Sequence, residues 1–128
     1  MIIDSSAIVA ICLQEPGHER VLQKMSATEN RAMGTPTVAE TGIVLASRLR
    51  RNTIGLLARF LQELEIATVP FSDDHWKETV DAFDRYGRGR HEASLNFGDC
   101  MTYSVAKLGD EPLLCVGEDF ALTDLRIA

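Results

Sequence analysis

Apolar and polar positions along this chain fall into two alternating periods. Met1, Ile2 and Ile3 form an apolar run that stops at the polar trio Asp4, Ser5 and Ser6, the pattern of a short strand buried on both faces and ended by the acid. After the Pro16-Gly17 break, Val21, Leu22 and Met25 recur at helical spacing and predict a helix over residues 19–25. Ala32 to Gly34 reads as a second short strand. Thr35 then offers a capping hydroxyl before Pro36, and helical periodicity runs from there to Arg50 with Glu40 inside it. Residues 52–65 carry Ile54, Leu57, Phe60, Leu61 and Leu64 on one helical face, and Ile66 to Val69 reads as a strand closed by Pro70. Ser72 opens a further helix, in which Trp76, Val80 and Phe83 recur at intervals of four and three residues. Asp73 and Asp74 lie where its dipole favours anions. A glycine- and arginine-rich stretch, residues 87–91, leads to a helix from about Asp99 to Leu108 that is apolar nearly all round. Gly109-Asp110 turns the chain into a buried strand over residues 113–116, followed by a loop over 117–123. Strands alternating with helices predict an α/β layer structure with a mainly parallel central sheet.

Length and composition set the scale. A chain of 128 residues, 45% of them hydrophobic, is expected to form one domain over residues 1–128, with roughly two-thirds of its surface buried. The net charge of −6 argues against coating nucleic acid by bulk electrostatics but leaves room for a local basic patch. Cys12, Cys100 and Cys115 are odd in number and lack metal-ligand spacing, so they read as small core residues of a reducing compartment. The longest uncharged apolar stretch, Ala7 to Leu13, is far below the ~20 residues needed to span a bilayer. No membrane partner and a cytoplasmic location are expected.

Four acids change this picture. Asp4, Glu40, Asp99 and Asp119 each stand against apolar or glycine-containing sequence rather than on a solvated face. Asp4 and Asp119 follow segments that read as strands, and ligands of open α/β sheets bind outside the carboxyl ends of strands. Carboxylates brought together without a counterion repel one another and protonate, whereas a divalent cation relieves both costs. Oxygen-only ligands favour Mg²⁺ or Mn²⁺ over zinc, and His18, His75 and His91 are too scattered to argue otherwise. Ser6 is placed to hold a ligand carboxylate or a water from behind. Such a site suits phosphodiester hydrolysis. Arg85, Arg88 and Arg90, with His91, are candidate contacts for the RNA backbone.

These residues carry a family resemblance. The opening Met1-Ile-Ile-Asp4-Ser-Ser-Ala7, Glu40 after Pro36, the stretch from Gly89 through Asn96-Phe-Gly-Asp99 to Ala106, and Gly117-Glu-Asp119-Phe-Ala-Leu-Thr-Asp124 together resemble PIN-domain ribonucleases, in particular VapC toxins. The resemblance spans the whole chain. It implies a PIN-like three-layer α/β/α domain, a Mg²⁺-dependent endoribonuclease activity and a toxin homodimer neutralised by a VapB-type antitoxin. By position it makes Asp4, Glu40, Asp99 and Asp119 the acidic quartet, with Asp4 and Asp99 as the metal ligands and Ser6 as the small hydroxyl beside them. Ser5 stands where threonine is common and Glu118 where asparagine is common in relatives. An antitoxin helix would find apolar walls in Ile54, Leu57 and Phe60, and an arginine from it would compete for the acids.

Plainer readings exist for single residues. Asp99 can serve as a helix cap, Asp119 or Asp124 as a turn residue, and the arginine run as a solvated loop. Two rivals belong to other classes. A catalytically silent PIN-like binding module keeps the fold but has no use for intact acids. A receiver-type signalling domain needs an acceptor aspartate at the end of a middle strand, where this chain has Arg50-Arg51-Asn52 on helical sequence.

Overall fold

The computed structural model describes residues 1–128, and its frame is a sheet of four parallel strands. These are β1 (Ile2–Ile3), β2 (Arg31–Gly34), β3 (Ile66–Val69) and β4 (Leu113–Leu114), in the spatial order β3-β2-β1-β4. Ile2 pairs with Ala32 on one side and with Leu113 on the other. The chain therefore builds outward from β1 through β2 to β3 and returns to the opposite side for β4. That reversal makes a topological switch point at the carboxyl ends of β1 and β4, the place where open α/β sheets accept ligands.

Six helices complete the fold: α1 (Ser5–Cys12), α2 (His18–Ser26), α3 (Thr35–Leu49), α4 (Ile54–Glu63), α5 (Asp73–Tyr86) and α6 (Phe97–Gly109). The pleat of the sheet sends neighbouring residues to opposite faces. Ile2 and Leu113 join a core with Ala82 of α5 and with Cys100, Tyr103 and Val105 of α6. Ile3 and Leu114 join a second core with Ala7 and Ile8 of α1, Met25 of α2 and Leu57 of α4. The expected three layers result. Helix α3 lies against both α1 and α6 and so bridges the two layers at the strand ends. Its hold on α6 includes a hydrogen bond between the buried hydroxyls of Thr37 and Thr102, 2.9 Å apart.

Three elements differ from the sequence reading. Helix α1 has no counterpart there: Ala7, Ile8, Val9 and Ala10 are all buried, so no alternation of polar and apolar positions reveals a helix. Only the Asp4 cap announces it. Strand β4 ends at Leu114 rather than Val116, because the chain leaves the sheet at Cys115 to form the loop beside Ser6. In α5 the inward face is made by Thr79 and Ala82, while Trp76, Val80 and Phe83 are exposed. Small residues let α5 approach α6 closely and turn the larger apolar stripe toward solvent.

Candidate functional site

Asp4 is the first residue beyond β1 and is 4% exposed. It caps α1 through Oδ2, which accepts the Ser6 amide N–H at 3.0 Å and the Ser6 hydroxyl at 2.6 Å. Ser6 Oγ accepts the Val116 N–H at 3.0 Å, so the start of α1 is tied to the loop after β4. Asp4 Oδ1 is buried and has no hydrogen-bond partner. An unpaired buried carboxylate oxygen is among the costlier defects a fold can carry.

Glu40 comes down from α3 to the same strand ends, between the start of α1 and the start of α6. Its Oε1 accepts the Ser5 hydroxyl at 2.5 Å, and its Oε2 packs so tightly on Gly98 of α6 that a Cβ at residue 98 would overlap it. Asp99 is the third residue of α6 and closes a reciprocal cap with Asn96. Its Oδ2 accepts the Asn96 N–H at 3.0 Å while its own N–H donates to Asn96 Oδ1 at 2.9 Å. The Asp99 carboxyl is pushed up to about 6, chiefly by burial and further by Asp4, Glu40 and Asp119, against the opposing pull of the Asn96 amide. All three other acids thus act on Asp99. Asp119 opens a 3-10 turn, Asp119–Leu122, and is the most open of the four.

The four acids form a loose rim rather than a closed cage: no three Asp, Glu, His or Cys side chains stand as a ready ligand set. The donors nevertheless fit a hard divalent cation. They are all oxygens, one is buried and unpaired, and one carboxyl is held above its ordinary range by burial first and by the other acids after it. The imidazoles are engaged elsewhere: His18 at the Glu15 carbonyl, His75 at Ser72 and His91 at the Ala93 amide.

The arginine run divides. Arg85 donates to the Tyr103 hydroxyl at 2.5 Å and pairs with Asp81 and Asp124 at 3.4 and 3.5 Å. Asp124, held by the Lys107 ammonium at 2.7 Å and the Tyr103 hydroxyl at 2.6 Å, has its carboxyl drawn down to about 2 against the effect of its partial burial. That cluster fastens the C-terminal segment to α5 and α6. Arg90 pairs with Asp84 at 3.4 Å and lies over the Phe83 ring, and Arg88 is exposed.

Ser5, Asn96 and Gly98 are parts of the site that sequence reasoning passed over. The Asn-x-x-Asp spacing of a reciprocal cap was a readable signal for Asn96. The meetings of Ser5 and Gly98 with Glu40 join residues far apart in sequence and carry no local signal.

An apolar groove of about 440 Å³ lies between α3 and α4, with Ile43, Ala46, Ile54, Leu57 and Leu61 among its lining residues. Ile54 and Leu57 stand where the sequence reading expects them. Phe60 does not, since it lies outside the groove's lining and packs against the second core, which Leu57 joins from the groove floor. No helix is long and apolar enough to cross a membrane.

Comparison with known proteins agrees with this architecture. The PIN domain family pattern matches residues 1–125. A VapC ribonuclease of Mycobacterium bovis and the VapC36 ribonuclease of Mycobacterium tuberculosis are each 44% identical over 127 residues, covering 98% of this chain and 91% of theirs. A VapC ribonuclease of Mycolicibacterium smegmatis is 40% identical over 125 residues, 98% of this chain and 97% of its own. Among solved structures, the sarcin-ricin loop cleaving toxin VapC20 of Mycobacterium tuberculosis superposes with a TM-score of 0.81 at 13% identity, over 99% of this chain and 97% of that one. A toxin-antitoxin complex from Klebsiella pneumoniae gives 0.72 at 17% identity, over 99% and 95%.

Proposed function

The chain belongs to the PIN domain family, alongside VapC ribonucleases, and from that premise we propose that it is a metal-dependent endoribonuclease acting as the toxin of a toxin–antitoxin pair. Residues 1–128 act as one nuclease domain. The observation that carries this reading is Asp4 Oδ1, a buried carboxylate oxygen with no donor, at the strand end where Asp99 is held above its ordinary range chiefly by burial and further by three other acids.

Asp4 and Asp99 would hold the ion, Mg²⁺ or Mn²⁺, with Glu40 and Asp119 completing the rim. When bound, it lowers the pKa of a water and neutralises charge on the phosphate. The chain's own residues prepare for this. Ser6 takes up Asp4 Oδ2 through two donors and leaves Oδ1 free. The Asn96 amide does the same for one oxygen of Asp99, and Ser5 fixes one oxygen of Glu40. Asp4, Asp99 and Glu40 are thus each oriented through one oxygen, the second oxygen of Asp4 staying unpaired and that of Glu40 packing on Gly98, and such orientation spares rotational cost when a ligand arrives. Arg88, exposed and in none of the chain's ion pairs, would meet the RNA backbone, and Arg90 would do so by leaving its pair with Asp84, with Arg85 steadying the segment from its seat on Tyr103.

A silent binding module is the second reading. It gains nothing from an unpaired buried carboxylate oxygen, which an apolar or amide side chain would remove at lower cost.

The partner surfaces are separate from the acids. The apolar groove between α3 and α4 suits the apolar face of a VapB-type antitoxin helix. The exposed stripe of Trp76, Val80 and Phe83 on α5, joined by Phe97 on α6, suits a second copy of the chain in a cytoplasmic homodimer. Cutting of single-stranded RNA by the purified chain with added Mg²⁺ or Mn²⁺, absent in chelator and in Asp4→Asn, tests the activity. RNA left intact by the metal-loaded parent chain would exclude it.

A further inference from the structure

Resting on that ribonuclease reading, the strand must approach four carboxylates on a chain whose net charge is −6, so it needs cations along its path. The arginine run supplies few: Arg85 is committed to Tyr103 and Asp124, and Arg90 to Asp84. A different source lies beside the site. A cavity of about 310 Å³ separates α2 from the loop that follows β4, and its lining includes Arg20 and Lys24 from α2 and Cys115, Val116 and Glu118 from the loop.

Two observations connect this cavity to the acids. The Val116 N–H in its wall donates to Ser6 Oγ at 3.0 Å, and Ser6 Oγ donates to Asp4 Oδ2 at 2.6 Å. The wall is therefore two hydrogen bonds from the carboxylate that has an unpaired oxygen. The Cys115 thiol, pushed up to about 11 mainly by burial, also feels Asp4, Lys24, Glu118 and Asp119, so one side chain lies within the fields of the acids and of a cavity cation together.

Arg20 and Lys24 are four residues apart on α2 and project from the same face. Arg20 is exposed and takes part in none of the chain's ion pairs. Lys24 gives one proton to the Ala128 carbonyl at 2.5 Å, which steadies its ammonium and leaves two donors. Glu118 is the only acidic side chain in the lining.

We infer that this cavity seats a backbone phosphate of the RNA strand adjacent to the one being cut, with Arg20 in direct contact and Lys24 as supporting charge. The guanidinium fork matches a phosphate bidentately, and the strand then runs from the acids along the β4 loop to α2. Arg20 acts by positioning the strand, not by touching the reacting atoms.

The test compares Arg20→Glu, Arg20→Gln and Arg20→Lys by fluorescence anisotropy with a labelled single-stranded RNA, in the inactive Asp4→Asn background so that nothing is cut. Arg20→Glu should weaken binding about tenfold or more. Arg20→Gln should lower the salt dependence by about 0.7 in log–log slope, the value for one lost phosphate contact on a single strand, and Arg20→Lys should restore the slope but only part of the affinity, since it keeps the charge and loses the fork. In the active chain the same variants should raise KM and leave kcat and Mn²⁺ affinity near parental values. Affinity, salt slope and KM all unchanged in a folded Arg20→Glu variant would overturn the inference. Because the binding comparison needs no turnover, an inactive parent chain would remove the ribonuclease reading without deciding this one.

Discussion

Glu40 and Gly98 meet in a contact that no other residue at position 98 permits: the carboxylate Oε2 occupies the space a Cβ would need. The helix that presents Asp99 is thereby docked on the helix that presents Glu40, with the Thr37 and Thr102 hydroxyls joining the same two helices. Gly98→Ala should displace Glu40, cost about 1–3 kcal/mol as overpacking and lower RNA cleavage at least tenfold. The stability cost should shrink in a Glu40→Ala background, where the clash is gone, and a double-mutant cycle on Tm reads it. Equal costs in both backgrounds would contradict the packing argument.

The pH dependence of stability follows from two carboxyls with opposite shifts. Asp99 has its folded pKa raised to about 6, so the fold favours its protonated form. Its contribution is present below the ordinary value of 3.8 and is lost as pH rises through about 6. Asp124 is lowered to about 2, so its contribution is present above 3.8 and lost as pH falls toward 2. Thermal melts of the chelator-treated chain should therefore show Tm falling as pH rises from about 4 to about 6, and falling again as pH drops below 4. Asp99→Asn should flatten the first slope and Asp124→Asn the second. A first slope that survives in Asp99→Asn would place its origin elsewhere.

Ile43 lies 68% exposed in the α3–α4 groove, away from the acids. Ile43→Asp should leave RNA cleavage and Tm within experimental scatter while abolishing inhibition by the cognate antitoxin, measured by titrating antitoxin into a cleavage assay. Undiminished inhibition would move the antitoxin to another face.

Trp76 stands 51% exposed at the start of the apolar stripe on α5. Trp76→Glu should convert a homodimer to a monomer in light scattering coupled to size exclusion, without loss of helical dichroism. A parent chain that is monomeric at tens of micromolar would remove the dimer surface.

How much of this was legible follows from where each residue's environment is written. Asp4 is readable because an apolar strand stops on it, and Asp99 because it sits at the first turn of an internal helix. The α5 stripe misleads, since Trp76, Val80 and Phe83 have core-like spacing but face outward. Helix α1 is invisible to periodicity because both its faces are buried near the sheet, so hydrophobicity has nothing to alternate with. Phe60 shares the apolar face of α4 with Leu57, and no spacing rule tells that Leu57 reaches both the groove and the core while Phe60 stays out of the groove. The roles of Ser5 and Gly98 exist only through the crossing of α1, α3 and α6, which a linear pattern does not encode.

The convergence of Asp4 and Asp99 on one divalent cation is tested most directly by calorimetric titration of Mn²⁺ into the metal-free chain at neutral pH. Saturable binding by the parent, weakened tenfold or more in both Asp4→Asn and Asp99→Asn with far-UV dichroism unchanged, is the expected result. Parental affinity in both folded variants, or no binding by the parent chain, would contradict it.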